Sequence, residues 1–314
     1  MKRLISTFGM THDDWLMHRR SGIGGSDAAA IVHLNPYKSA YEVWADKLGF
    51  STETPDNEAM RQGRDLEEYV ARRFTEETGF RVRHANYIFQ DDMQPYMIAN
   101  VDRVLTGRKE GLECKTMNPR SKYVSDLEDN SVPPHYYVQC QWYMAVTGYP
   151  VWYLAILVFG SGFYYFPIER NDDDIEVLRK SARDFWEYNV LGNNPPPPDG
   201  SDGCHRAVLS ICGNSNGETI PLDISPDLIK NLQELDSDRK EIDRQMQMIK
   251  DEVALALGNA EIGNGDGFRV TMKTQTRRTF DAKRFAKEHP EMDLEGYYKE
   301  AVSRPFRYKI FEEE

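Results

Sequence analysis

Cysteine is scarce in this chain: 314 residues carry four, at positions 114, 140, 204 and 212. So few, so scattered, exclude a disulfide scaffold and point to a reducing compartment, the cytoplasm. No apolar run reaches the ~18–20 residues that a membrane-spanning helix requires. The longest, Val151–Phe159, is strand-sized. The opening MKRLISTFGM has two basic residues and no apolar stretch behind them, so no secretory leader is expected. Surplus positive charge is also missing. The net charge is −12, which argues against a protein that coats nucleic acid without selectivity. Neither a Gly-Lys-Ser/Thr phosphate loop nor a G-x-G-x-x-G dinucleotide fingerprint is present.

What is present is ordinary globular composition, 40% hydrophobic and 29% charged, at a length that suits about two domains. The charge is uneven. Residues 267–311 hold 11 Lys/Arg against 6 Asp/Glu, so an acidic body precedes a basic tail. The break LGNNPPPPDGSDG, Leu191–Gly203, reads as a stiff polyproline linker. It suggests a main domain over 1–191, a linker over 192–203 and an accessory region over 204–314.

Helices are expected from Thr11, over Ser39–Leu48, Ala59–Thr78 and Pro134–Thr147, and over Asp172–Val190. Strands are expected over Arg81–Gln90, Tyr96–Leu105, Gly111–Thr116, Val151–Phe159 and Gly162–Ile168. The order implies an α/β or α+β sheet flanked by helices. Beyond the linker, Pro226–Leu257 has coiled-coil-like apolar spacing. A strand or hairpin at Gly267–Thr279, a charged helix and a last strand near Arg304–Phe311 follow.

The most informative stretch is IANVDRVLTGRKEGLECKT, residues 98–116. Side chains alternate along a strand, so Glu113 and Lys115 share a face, with Leu112 and Cys114 on the other. A hairpin would bring Asp102 alongside. Two carboxylates suit Mg²⁺ or Mn²⁺, hard ions that take oxygen ligands, and a lysine can orient the attacking water. The same spacing also fits a solvated strand face with a cross-strand ion pair. Glu67 borders the apolar stripe Leu66, Val70 and Phe74. It is either a further ligand or a boundary acid reaching solvent. Gln139 and Gln141 sit in an aromatic and apolar helix, where an amide needs a partner, be it a water, DNA or the surface. In RRSGIGGSDAAAI, residues 19–31, a glycine turn with Ser26 and Arg19 or Arg20 would make a pocket for a terminal phosphate, or a tight turn before a buried helix.

Together and in this order, these pieces over residues 12–168 resemble the YqaJ/phage lambda exonuclease family of the PD-(D/E)xK nuclease superfamily. GIGGSDAAAI and YEVWADKLG resemble its opening signature, and Gly63–Glu67 its helical acid. Asn100-Val101-Asp102 stands for Pro-Asp, Glu113-Cys114-Lys115 for E-x-K, and Tyr136–Gln141 for Tyr-x-x-Gln-x-Gln. The resemblance implies a restriction-endonuclease-like α/β fold, a central mixed sheet flanked by helices, with a C-terminal helical and β extension. It implies a Mg²⁺-dependent (or Mn²⁺-dependent) 5′→3′ exonuclease on double-stranded DNA ends, leaving 3′ tails for an annealing protein in phage-type recombination. Relatives form rings, often trimers. The chain would then work in the cytoplasm of a bacterial host, with a phage or prophage origin.

The expected catalytic set is Lys115, Glu113, Asp102, Glu67 and Gln139, with Asp102, Glu113 and Glu67 on the metal. Arg19, Arg20, Ser26, Gln141 and Asp92 are the candidates for DNA and its 5′-phosphate. Arg269, Lys273, Arg277 and Arg278 are candidate DNA contacts in the extension. An iron–sulfur cluster is not expected, since the cysteines lack C-x-x-C spacing. The competing readings are a structure- or sequence-specific endonuclease using the same centre, and a non-catalytic DNA-binding or assembly protein.

Overall fold

Capping residues set most of the helix limits in the computed structural model, which describes residues 2–50, 57–292, 295–297, 306 and 308. A strand, β1 (Lys2–Ser6), precedes α1 (His12–Arg20), whose first turn Thr11 caps by accepting from the Asp14 N–H. The short α2 (Gly25–Ile31) follows the glycine turn. α3 (Ala40–Lys47) starts with a reciprocal Ser39–Glu42 capping box, and α4 (Glu58–Thr78) ends on Gly79 in the left-handed region. Four short strands come next: β2 (Val82–His84), β3 (Tyr87–Gln90), β4 (Ile98–Asn100) and β5 (Arg103–Leu105). β6 (Glu110–Met117), the short α5 (Val124–Glu128) and α6 (Pro134–Thr147) lead to the hairpin β7 (Val151–Val158) and β8 (Gly162–Glu169). α7 (Asp172–Asp184) runs into a π-helical turn at Phe185–Leu191.

The chain divides into two compact units, 1–213 and 214–314. In the first, the main sheet has the order β2-β5-β6-β7-β8. β6 and β7 are parallel and every other neighbour is antiparallel. Parallel neighbours require a crossover, and α6 lies in that connection. One sheet face packs α4 through Val70, Ala71 and Phe74 against Leu112, Cys114 and Ala155. The other face carries the larger core, with Trp142, Met144, Trp152, Leu154 and Ile156 fully buried. A second sheet, β1-β3-β4, stands beside it. This is the helix-flanked central mixed sheet that the resemblance implies.

Three expectations change. Arg81–Gln90 and Tyr96–Leu105 are each two strands, and the halves of each belong to different sheets. The first break turns on Asn86, in the left-handed region at φ 53°. The second falls at Val101-Asp102, so Asp102 sits where the chain switches sheets rather than on a strand. The residues after the prolines also belong elsewhere: α8 (Asp202–Cys212) is part of the first unit. Its Cys204 and Ala207 are buried, and the Ser210 hydroxyl donates to the Phe50 carbonyl at 3.0 Å.

The second unit, taken by itself, begins with the 32-residue α9 (Pro226–Leu257), capped by Ser225. The hairpin β9 (Ile262–Gly265) and β10 (Phe268–Thr271) and the short α10 (Ala282–Glu288) follow. The basic strand therefore ends at Thr271. Arg269 lies on it and donates to Asn264, whereas Lys273, Arg277 and Arg278 are exposed beyond it. The strand expected near Arg304–Phe311 lies outside the described residues.

Candidate active site

β5 and β6 pair with Arg103 opposite Leu112, which sets Asp102 next to Glu113. The Cys114 N–H donates to Asp102 Oδ2 at 2.8 Å, fixing the carboxylate at the sheet switch. Alternation along β6 does what the sequence predicts. Leu112 and Cys114 enter the α4 core, while Glu113 and Lys115 face a cleft of about 210 Å³. Asp102, Gln139 and Tyr143 line the same cleft, together with Trp15, Arg19, Gly24, Gly25 and Ser26. Gly25 is required by this closeness: a Cβ there would stand 2.9 Å from the Gln139 side chain and 3.0 Å from the Tyr143 ring.

Glu113 is the centre of the polar network. Its Oε1 accepts from Lys115 Nζ at 2.6 Å and from Gln139 Nε2 at 2.7 Å, while its Oε2 is buried without a partner. Gln139 also donates to the Tyr143 hydroxyl at 2.6 Å. Burial, with Glu113 and Glu67 nearby, pushes the Asp102 carboxyl well above its usual range, and Lys115 and the Cys114 N–H do not compensate. Burial would lower the Lys115 ammonium, but Glu113 and Asp102 overbalance it and hold the lysine protonated. Two crowded carboxylates, one with an orphaned oxygen, are a donor set that a hard divalent cation would satisfy, so the residues fit Mg²⁺ or Mn²⁺.

Glu67 does not complete that set. Arg103, 3% exposed and fixed to the Asp102 carbonyl at 2.8 Å, donates to the Glu67 carboxylate and to Glu68 at 2.9 Å. Glu67 reaches Asp102 only as a neighbouring negative charge. Among the described residues, no three His, Cys, Asp or Glu side chains are grouped to hold a metal.

The phosphate candidates separate cleanly. Arg19 Nη2 donates to Ser26 Oγ at 3.1 Å inside the cleft. Arg20 turns away, its Nε 3.4 Å from Asp46. The glycine turn is not an open amide cradle, because the Ile23 N–H goes to the Tyr96 carbonyl and the Gly24 N–H to Asp27. Asp27, fully buried, is a residue that sequence reasoning missed. Lys47 at 2.7 Å, Lys38 at 2.9 Å and Arg19 at 3.8 Å surround its carboxylate. Burial alone would raise it, yet Lys38, Lys47 and Arg19 hold it well below the usual range. Asp46 also lies within 4.0 Å of Lys38 and Lys47, so four cations, counting Arg20, share two acids and leave surplus positive charge beside Arg19 and Ser26.

Gln141 is not a DNA contact. It is fully buried, donates to the Glu169 carbonyl at 2.8 Å and accepts from the Asn171 N–H at 3.0 Å, so its amide is consumed in tying α6 to the start of α7. Asp92 is exposed and lies outside the cleft; its neighbour Asp91 pairs with Arg179 at 2.6 Å. Arg103 and Asp27 were hard to find for one reason. An interior charge shows itself only through its partners, and those are distant in sequence.

Fold and site together have the make-up of a PD-(D/E)xK-type protein: a mixed sheet whose hairpin presents Asp, Glu and Lys to one cleft. Residues 14–150 match the YqaJ-like viral recombinase domain family. Over 312 residues the chain is 34% identical to the YqaJ protein of Bacillus subtilis (strain 168), covering 96% of this chain and 95% of that one. The chain belongs to the YqaJ-like family. Looser likenesses link it to the alkaline exonuclease LHK-Exo of Laribacter hongkongensis (TM-score 0.48, 18% identity, 58% of this chain and 93% of that one). A phage-related exonuclease from Haemophilus somnus 129PT gives a TM-score of 0.44 at 12% identity, covering 57% of this chain and all of that one.

Proposed function

We propose that this protein is a divalent-metal-dependent deoxyribonuclease that digests linear double-stranded DNA from its ends, 5′ to 3′, leaving 3′ tails for phage-type recombination. The observation that carries the reading is the lining of one cleft by two groups of residues. Asp102, Glu113, Lys115 and Gln139 make up one group, and Arg19 with Ser26 the other. The first group suits a scissile phosphate, the second a terminal phosphate.

Asp102 and Glu113 would hold Mg²⁺ or Mn²⁺, with Glu67 restrained by Arg103. A bound divalent ion supplies Lewis-acid charge and acidifies water. Lys115, kept as an ammonium, donates hydrogen bonds that orient the attacking water and stabilise charge building on the phosphoryl oxygens. Gln139 keeps Glu113 Oε1 in place, so that Oε2 remains available. The Arg19 guanidinium offers paired donors to a terminal phosphate, and Ser26 adds a hydroxyl. Arg269, Lys273, Arg277 and Arg278 add basic surface for duplex contact. In this reading the chain acts as a ring-shaped homo-oligomer, a trimer, in the bacterial cytoplasm, and passes its 3′ tails to a single-strand annealing protein.

The test is digestion of end-labelled linear duplex with Mg²⁺, beside closed circles. Loss of linear DNA with a preference for 5′-phosphate ends, circles remaining intact, is the expected result. Rapid cutting of circles would replace this reading by an endonuclease, and no hydrolysis at all by a binding or assembly protein.

A further inference from the structure

Next to the cleft lies an aromatic cluster that the catalytic reading leaves unused. Tyr37, on the loop between α2 and α3, is 70% exposed and belongs to neither apolar core. An exposed tyrosine on a loop is normally free to swing, but this one is anchored from both sides. Its N–H donates to Asn35 Oδ1 at 2.9 Å, and Asn35 Nδ2 donates to the Ser26 carbonyl at 3.2 Å, tying the loop to the terminal-phosphate group. Its ring stands edge-on to His135 at the start of α6, with centroids 5.8 Å apart. His135 is in turn flanked by Tyr136 at 4.0 Å and Tyr123 at 5.1 Å.

Two cations sit over these rings: Lys115 Nζ 5.3 Å from the Tyr136 centroid, and Lys122 Nζ 5.0 Å from that of Tyr123. Because Lys115 also lines the cleft, the cluster is continuous with the candidate catalytic centre. His135 itself is 5% exposed, and neither ring nitrogen has a partner. A buried imidazole without a hydrogen bond does nothing for stability that a phenyl ring would not do better. Its edge-on contact with the Tyr37 ring is the use the geometry offers. An exposed ring in edge contact with an aromatic cluster that carries two ammonium groups and reaches the candidate catalytic cleft has the chemistry of a single-strand binding track. Bases stack on the ring whatever their identity, and the cations take the phosphates.

We propose that Tyr37, in edge contact with His135, is a stacking platform for a base of single-stranded DNA entering or leaving the cleft, with Lys122 taking the neighbouring phosphate. This rests on the nuclease reading for why single-stranded DNA would be there, but its test does not need cleavage.

Full-length wild type, Tyr37→Ala and Tyr37→Phe are titrated in EDTA with a fluorescein-labelled oligothymidine and with one containing 2-aminopurine. Stacking needs the ring and not the hydroxyl. Tyr37→Ala should therefore bind about tenfold more weakly and leave 2-aminopurine emission unquenched, while Tyr37→Phe matches wild type in both. Lys122→Ala should weaken binding and flatten its salt dependence without abolishing the quench. Equal binding and quenching by Tyr37→Ala and wild type would overturn the platform, even if wild type degrades linear duplex with Mg²⁺. Ring-dependent binding and quenching, with no degradation by wild type, would support the platform and overturn the nuclease reading instead.

Discussion

Gln139 donates to Glu113 Oε1 at 2.7 Å, while the other oxygen of that carboxylate is buried with no partner. One oxygen is thus committed to the protein and the other left for a ligand. Gln139→Leu removes the restraint without touching Asp102 or Lys115. Partners that orient a metal ligand are typically worth 10–100-fold in metal affinity or activity. The Mg²⁺ concentration for half-maximal DNA degradation should therefore rise about tenfold or more in this variant. An unchanged Mg²⁺ titration would mean that Gln139 does not set the pose of Glu113.

Asp102 is placed against stability. Burial, Glu113 and Glu67 raise its carboxyl well above the usual range, so its ionised form is disfavoured in the fold. The sign follows. In the metal-free protein, stability falls as pH rises from the unfolded value near 3.9 through the folded one. Asp102→Asn keeps an acceptor for the Cys114 N–H and removes the like charge. It should stabilise the metal-free protein at pH 7 by about 1–2 kcal/mol, read by thermal or denaturant unfolding in EDTA. The same substitution should reduce DNA degradation by about 10²–10³-fold.

How far the sequence led is clearest at particular residues. α6 keeps both expected limits because Pro134 suits the first helical position and Gly148 takes the left-handed φ of 72° that ends the helix. Glu113 and Lys115 share a face because alternation along β6 admits nothing else. The switch at Asp102 was hidden, since Val101-Asp102 carries no Gly or Pro, and leaving one sheet for another is decided by pairing partners far along the chain. α8 was misplaced because four prolines mark a stiff segment, not the place where packing stops. It is the burial of Cys204 and Ala207 that joins α8 to the first unit.

Gln141 exemplifies a polar signal read correctly as needing a partner and given the wrong one. Gln141→Leu leaves the Glu169 carbonyl and the Asn171 N–H without their bonds inside the protein. Unfolding free energy should fall by about 1–3 kcal/mol. DNA affinity of the folded fraction should stay within twofold of wild type, measured by anisotropy at a temperature where both are folded.

His135 and Asp27 weaken the fold on acidification in two separate pH windows. Burial, then Lys115 and Lys122, push His135 down to about 4, so the ring stays neutral in the fold. Between pH 6.5 and 4 the unfolded chain takes up a proton at His135 that the folded one refuses, so this residue's contribution to stability falls by roughly 2–3 kcal/mol, against the opposite trend of Asp102. Asp27 is shifted in the same direction, below its own usual value, but in a more acidic window. Its contribution is complete above about pH 3.9 and is lost as pH falls further, through its depressed folded value. His135→Phe should flatten the change in the upper window and leave that in the lower one, as shown by denaturant unfolding at pH 7, 5.5, 4.5 and 3.5. An unaltered upper window would place that proton uptake elsewhere.

The two arginines that the sequence could not separate now make opposite predictions. Arg19 shares the cleft with Ser26 and is backed by the buried Asp27, whereas Arg20 spends its guanidinium on Asp46. If Arg19 reads a terminal phosphate, Arg19→Ala removes a charge-assisted bond made only by phosphorylated ends, worth about 1.5–3 kcal/mol. The ratio of initial rates on 5′-phosphate and 5′-hydroxyl duplexes should then fall about 10–100-fold, towards unity, with the 5′-hydroxyl rate hardly changed. Arg20→Ala should leave the ratio intact and lower only stability, by under 1 kcal/mol, as befits a partly exposed pair. A collapse of the ratio in Arg20→Ala, with Arg19→Ala unaffected, would move the phosphate site out of the cleft.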